Sequence, residues 1–358
     1  MIPYEGWDRE YMENKEKYFE IFDKFMSQSN YENTEWFEQK FANYIGKKHA
    51  VSVANATDAL YFSLLTHNIG PGDEVLVTDF SWISTSSCIS MAGAIPVFCD
   101  INLNSYHIDI ESIKRMFSKN TKALIYTHLF GNMTDTKEIV KFCKDNGIVL
   151  IEDAAQSLGS SLNGTKAGTI GDSSSFSFNT NKVIAGINGG GMYLTDNDEH
   201  AQNVRKLRRH GKDKDFEFLG FNSRMYVLNA EIINQRFDNI VKHQNIRQEI
   251  AAVYNRSFSK LPIYTQEMFE GLNHNYHKYV IRLQDKETRK KIANKLSASI
   301  HYETTLSKNS MYQNIYYRKD QCVNSRRASD TVLSLPIHAW LTDEEINTIV
   351  ETVKTIFE

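Results

Sequence analysis

The sequence of 358 residues has little proline (5), little cysteine (4) and little net charge (−3), and each shortage excludes something. The cysteines, Cys88, Cys99, Cys143 and Cys322, show neither CxxC nor CxxH spacing. That leaves no basis for a structural zinc site or a disulfide framework. Cys99 in an apolar run and Cys143 on a helical pattern read as inert core thiols. The near-neutral balance gives no electrostatic reason to expect nucleic acid or an anionic membrane as partner. No apolar run approaches the roughly 18 residues of a membrane-spanning helix. The N-terminus has neither a basic segment nor an apolar core of the secretory kind, so the protein is read as cytoplasmic. The one strong charge cluster, Arg205 to His210, reads more simply as a solvated helix face than as a phosphate-binding patch.

What is present suits a large α/β domain with a smaller companion, here placed at residues 1–240 and 241–358. Residues 7–45 alternate charged and aromatic residues at helical spacing. Short apolar runs then alternate with amphipathic stretches. The predicted strands are 49–54, 74–78, 95–99, 122–127 and 148–152, and the predicted helices about 57–67, 82–92, 109–117 and 134–145. This βαβ rhythm predicts a mostly parallel, doubly wound sheet with helices on both faces. Two more strands are expected at 173–178 and 190–195, then a helix at 197–210. A small α+β region follows, with a strand at Tyr279–Leu283 and a closing helix from Thr342.

Four segments carry candidate chemistry. Ile148–Glu152 runs into Asp153, which places a carboxylate at the carboxyl end of a parallel strand, where open α/β sheets bind ligands. Such a carboxylate needs a cationic partner, and a protonated pyridine nitrogen is one. Gln156 follows within reach, and capping of a following helix is the plainer role for Asp153. Lys182 lies between an apolar strand, Ser175–Phe178, and a glycine-rich stretch, Gly186–Gly191. Desolvation there would make it a nucleophile and base, and an exposed loop lysine is the alternative. Asn55, Ala56 and Thr57 join a strand directly to a helix, an arrangement that suits an anion or a simple N-cap. Trp82 follows another strand end, as a stacking ring or a core residue.

At this order and spacing the four segments resemble the DegT/DnrJ/EryC1/StrS family of sugar aminotransferases. Trp36-Phe37-Glu38, Gly70-Pro71-Gly72-Asp73, Glu152-Asp153-Ala154-Ala155-Gln156, Gly220–Met225 and Leu333-Ser334-Leu335-Pro336 extend the likeness. The resemblance implies a pyridoxal 5'-phosphate (PLP)-dependent transferase of the aspartate-aminotransferase fold. Lys182 would be the Schiff-base lysine, Asp153 the partner of the pyridine nitrogen, and Gln156 the contact to the ring hydroxyl. Trp82 would stack on the ring, and Ala56, Thr57 and Ser177 would bind the phosphate. Asn222 and Arg224 would reach that phosphate from the second subunit of a homodimer.

The usual Gly or Ser before the phosphate-binding threonine is replaced by Ala56, and the usual Gly-Glu-Gly-Gly by Asn188-Gly189-Gly190-Gly191. The run Asn179-Thr180-Asn181-Lys182 resembles the branch acting on 4-keto-6-deoxy sugars carried by UDP or dTDP. The implied reaction passes the amino group of L-glutamate to such a sugar, giving a 4-amino-4,6-dideoxy sugar for surface polysaccharide such as O-antigen. A 3-keto sugar aminotransferase is the alternative. A sugar dehydratase and a non-catalytic PLP-binding protein stand further off, because Lys182 is present. Residues near 302–316 are expected on the sugar side.

Overall fold

The computed structural model describes residues 2–27, 33–296 and 298–358, so residues 28–32 of the helical stretch expected at 7–45 lie outside the described residues. In chain order the strands are β1 (His49–Val53), β2 (Glu74–Thr78), β3 (Ile95–Cys99), β4 (Thr121–Thr127), β5 (Val149–Asp153), β6 (Ser161–Leu162) and β7 (Thr165–Lys166). They continue as β8 (Ser173–Ser177), β9 (Gly191–Thr195), β10 (Tyr264–Thr265), β11 (Leu272–Asn273), β12 (Tyr279–Arg282), β13 (Arg318–Lys319) and β14 (Val332–Leu335). Among the described residues the main sheet has eight strands in the order β1-β9-β8-β5-β4-β2-β3-β13. Only β9 runs against the rest, pairing antiparallel with both β1 and β8. β2 is buried throughout and β3 from Pro96 onward, as their near-continuous apolar runs require in a sheet covered on both faces.

Helices α1 (Trp7–Ser27), α2 (Glu35–Ile45), α3 (Ala56–Thr66), α4 (Ser84–Met91), α5 (Ile110–Met116), α6 (Lys137–Asn146) and α7 (Asp198–Leu207) surround this sheet, with α8 (Val227–Phe237) beside α1. Phe37 and Phe41 of α2 pack with Phe176, Phe178 and Phe237 in one fully buried aromatic core. The long α9 (Ile240–Phe258) leads to a second sheet, β10-β12-β14, backed by α10 (Lys286–Lys295) and α12 (Asp343–Lys354). The chain between them returns to the main sheet: β13 extends its edge beside β3, and α11 (Val323–Thr331) is capped by Asp100, which accepts from Asn324 N and Ser325 N. No helix among the described residues is long and apolar enough to cross a membrane.

The basic run after residue 204 is only in part the solvated face expected: Arg209 and His210 are exposed, but two of its arginines are not. Arg205 and Arg208 of and beside α7 turn inward, each 2.5 Å from the buried Glu38 of α2. Glu38 also accepts from Ser52 N and Ser52 Oγ on β1. Burial alone would push its carboxyl up, yet Arg208 and Arg205 hold it below the usual carboxylate range. One acid thereby ties α2, β1 and α7 together. Replacement Glu38→Ala strands both guanidinium groups and should cost about 3–5 kcal/mol of stability, read from urea unfolding of the cofactor-free protein. A change within about 0.5 kcal/mol, ordinary for surface positions, would show that the cluster is dispensable.

Candidate active site

The carboxyl ends of β1, β5 and β8 and loops from the second sheet enclose a cavity of about 620 Å³. Its lining includes Ala56, Thr57, Trp82, Asp153, Gln156, Ser177 and Lys182, seven residues expected from sequence and now brought into one place. Asn222 and Arg224 do not line it. Both are exposed, and among the described residues neither side chain has a hydrogen bond or ion pair. Their neighbour Ser223 is buried instead, accepting from Ala54 N at 3.1 Å and donating to Asp58 at 2.6 Å.

Asn55 caps α3, its side chain accepting from Asp58 N at 2.8 Å. The first N–H groups of a helix lack intrahelical acceptors and carry the positive end of its dipole, so this end of the cavity favours an anion. The glycine run sets how close it comes: a Cβ on Gly191 would lie 2.3 Å from the Asn55 carbonyl carbon. Only a residue without a side chain lets β9 pass the start of α3. Thr57 donates to Ser84 Oγ at 2.7 Å, which joins α3 to α4 at the rim.

Asp153 ends β5 in full burial. No helix follows it; the chain turns, so helix capping is not its role, and Gln156 sits in that turn rather than on a helix. Asp153 accepts from Thr85 Oγ1 at 2.7 Å and from Ala155 N at 3.2 Å, but has no cation in contact among the described residues. Burial pushes its carboxyl above the usual range. Its neighbour Glu152 points the other way and accepts from the N–H groups of Gly168, Ile170 and Gly171, with His128 Nε2 at 2.7 Å. Those bonds fix the strand end that carries Asp153.

Lys182 is half-buried, and its ammonium has no hydrogen bond or ion pair among the described residues. Burial, and then the nearby charge of Lys278, lower its pKa to about 8. Gln156 is held at both ends: its carbonyl accepts from Phe130 N at 2.9 Å and its amide donates to Tyr302 at 3.0 Å. One amide N–H is left for a ligand. Trp82, 57% exposed, stands at the mouth rather than in the core. Of the expected run 302–316 only Tyr302 reaches the cavity, while Leu306 and Tyr312 pack in the core under α4.

Sequence reasoning missed His277, Lys278 and His301. All three line the cavity from around the second sheet. They are more than ninety residues from Lys182 in the chain, and Lys278, just ahead of the strand expected at Tyr279–Leu283, stands at its amino rather than its carboxyl end and beside no glycine-rich stretch.

A family model described as the DegT/DnrJ/EryC1/StrS aminotransferase family matches residues 11–354. A dTDP-3-amino-3,6-dideoxy-alpha-D-galactopyranose transaminase of Aneurinibacillus thermoaerophilus is 32% identical, with 88% of each chain covered. A protein of Geobacillus stearothermophilus called a pleiotropic regulatory protein is 29% identical over 99% of this chain and 98% of its own. The crystal structure of a DegT DnrJ EryC1 StrS aminotransferase from Brucella abortus superposes with a TM-score of 0.93 at 25% identity, covering both chains completely. The fold is that of the PLP-dependent transferases.

The isolation of Lys182 has a measurable consequence. In cofactor-free protein, acetylation of Lys182 by limiting acetic anhydride should rise with pH through a midpoint near 8, because only the unprotonated amine reacts. Exposed lysines follow the ordinary value of about 10.4. Peptide mapping across pH checks this, and an ordinary midpoint at Lys182 would show that the ammonium is solvated.

Proposed function

This chain belongs to the DegT/DnrJ/EryC1/StrS family of PLP-dependent aminotransferases, and from that premise we propose a specific transfer. The amino group of L-glutamate goes to a nucleotide-linked 4-keto-6-deoxy sugar, giving the 4-amino-4,6-dideoxy sugar for surface polysaccharide. One observation carries the reading: a buried acid and a lysine, neither with an ionic partner among the described residues, share one cavity with a helix N-terminus.

Those residues fit the cofactor. Asp153 would hold a proton on the ring nitrogen, which explains why a buried carboxylate is left uncompensated. Ala56, Thr57 and Ser177 would hold the phosphate at the start of α3. Gln156, fixed by Phe130 and Tyr302, would donate its remaining N–H to the ring hydroxyl. Trp82 would cover one ring face. Bound there, PLP supplies an electrophilic carbon and an electron-withdrawing ring. Lys182 Nζ, its pKa lowered by burial to about 8, would be the base that removes a proton from the donor carbon and, in the second half of the reaction, delivers a proton to the sugar carbon.

Asn222 and Arg224 would serve the cofactor phosphate of a second copy. Around them Phe216, Leu219 and Tyr226 stand exposed, Leu219 at 95% and Tyr226 at 70%, an apolar surface suited to a two-fold interface. Arg224 would meet the phosphate with charge-assisted hydrogen bonds. The test is complementation. Lys182→Ala and Arg224→Ala, each weak alone, are refolded together. Mixed dimers should regain activity because one site then carries both defects and the other neither. No gain although mixed dimers form would mean that Arg224 acts within its own chain.

The 4-keto preference rests on Asn179-Thr180-Asn181-Lys182. The Aneurinibacillus relative is named for a 3-amino sugar, which favours the 3-keto isomer as a second reading. UDP- and dTDP-linked 4-keto and 3-keto 6-deoxy sugars with glutamate, read by mass and NMR, should show turnover with the 4-keto set. Preference for 3-keto sugars would overturn the regiochemistry alone. No turnover, with no shift of the cofactor's visible band on adding glutamate, would favour a regulatory protein of the kind the Geobacillus relative is named for.

A further inference from the structure

Residues 2–7 precede the stretch matched by the family model, which begins at residue 11, and they lie along the second sheet beside the cavity. Pro3 O is 3.2 Å from His338 Nε2. Tyr4 places its ring 4.6 Å from the Lys278 ammonium. Glu5 meets that same ammonium at 3.0 Å. Trp7 Nε1 donates to Thr180 O, in the loop that carries Lys182. This N-terminal strap therefore joins Lys278 to the lysine loop.

The charges at this end of the cavity do not balance. Lys182 and Lys278 line it, and Arg247 lies buried close behind, donating to the carbonyls of Tyr276 and Ile337 rather than to a carboxylate. His277, His301 and His338 are held neutral by burial, His301 down to about 3 and His338 to about 4. Against these cations stand Asp153, placed for the ring nitrogen, and Glu5. Lys278 is itself nearly inaccessible, its side chain 4% exposed. An ammonium has three N–H donors. One goes to Glu5 and the Tyr4 ring covers the ammonium, but among the described residues no second oxygen or nitrogen accepts from it. A buried ammonium so poorly satisfied is costly unless something else completes it.

We propose that Lys278 receives an oxyanion of the substrate, and that Glu5 is the resting counter-ion which this oxyanion replaces. The reading rests on the sugar-aminotransferase function above. The oxyanion is either the carboxylate of the amino donor or a phosphate of the nucleotide sugar. Both offer the acceptors that Lys278 lacks, and Glu5, with a quarter of its side chain already exposed, can turn to solvent. A strap that served only as a fastener would act differently: loss of either partner would loosen it in the same direction. In the exchange the two losses oppose each other.

Isothermal titration of the PLP-loaded enzyme separates these cases, with UDP and dTDP as phosphate probes and glutarate as the carboxylate probe. Lys278→Met should weaken one class about 10- to 100-fold, as expected for a hydrogen-bonded charge, and leave the other within twofold. The class affected identifies the source. Glu5→Gln should tighten that same class severalfold. The proposal is overturned if Lys278→Met changes neither class, or if Glu5→Gln fails to tighten either. Should Lys278→Met not fold, the sign of the Glu5→Gln effect decides alone. Borohydride labelling of Lys182 in wild type tests the underlying function separately: absence of label there overturns the transaminase reading itself.

Discussion

A carboxylate and an ammonium, both withdrawn from water in the same cavity, are kept from pairing. Asp153 and Lys182 form no ion pair, although their charges are felt across the cavity and each is shifted toward its neutral form. Held apart, each would cost the fold several kcal/mol, and either could be relieved by collapse toward the other. The surrounding structure prevents this. Asp153 is fixed by Thr85 and by its own turn, and the strand beneath is anchored through Glu152 to three backbone N–H groups. Under the proposed function a ligand would relieve both groups: a protonated ring nitrogen would answer the carboxylate of Asp153, and an electrophilic carbon would take the neutral amine of Lys182.

The scaffold explains how such a site can be rigid. β9 runs against the other strands of the main sheet, so the chain leaves Lys182, turns through glycines and passes directly beside the start of α3. The loop that carries Lys182 is thereby held at both ends by adjacent strands, β8 and β9, and β9 passes the anion end of the cavity. The second sheet closes the cavity with Tyr302, which holds Gln156, and with the pair His277 and Lys278. Of these side chains only Lys278 carries charge, since burial keeps His277 neutral, and a cation there suits a substrate class rich in phosphate and carboxylate.

The ion cluster of Glu38, Arg205 and Arg208 shows the opposite use of buried charge. There the partners meet at contact distance, and the result joins three elements on the far side of β1. The chain thus satisfies its structural acid completely and leaves its site charges unsatisfied. That contrast separates architecture from chemistry more sharply than burial does, since Glu38, Asp153 and Glu152 are all buried.

The sequence by itself determined seven of the eight strands of the main sheet and the helices between them, because periodicity and turn residues act locally. It also singled out Lys182 and Asp153, since a charged residue at the end of an apolar strand is conspicuous whatever the fold. Only tertiary structure decided what each charge meets. The insertion of β9 between β1 and β8, and the docking of β13 at the edge beside β3, depend on pairings between distant segments that no local pattern encodes. The same holds for Glu5 and Lys278, which are 273 residues apart. Arg205 and Arg208 read as a solvated face because the acid that turns them inward lies on another helix. Periodicity tells which side of an element is apolar, but the partner of a charge is fixed by folding, and the function of a buried charge follows from its partner.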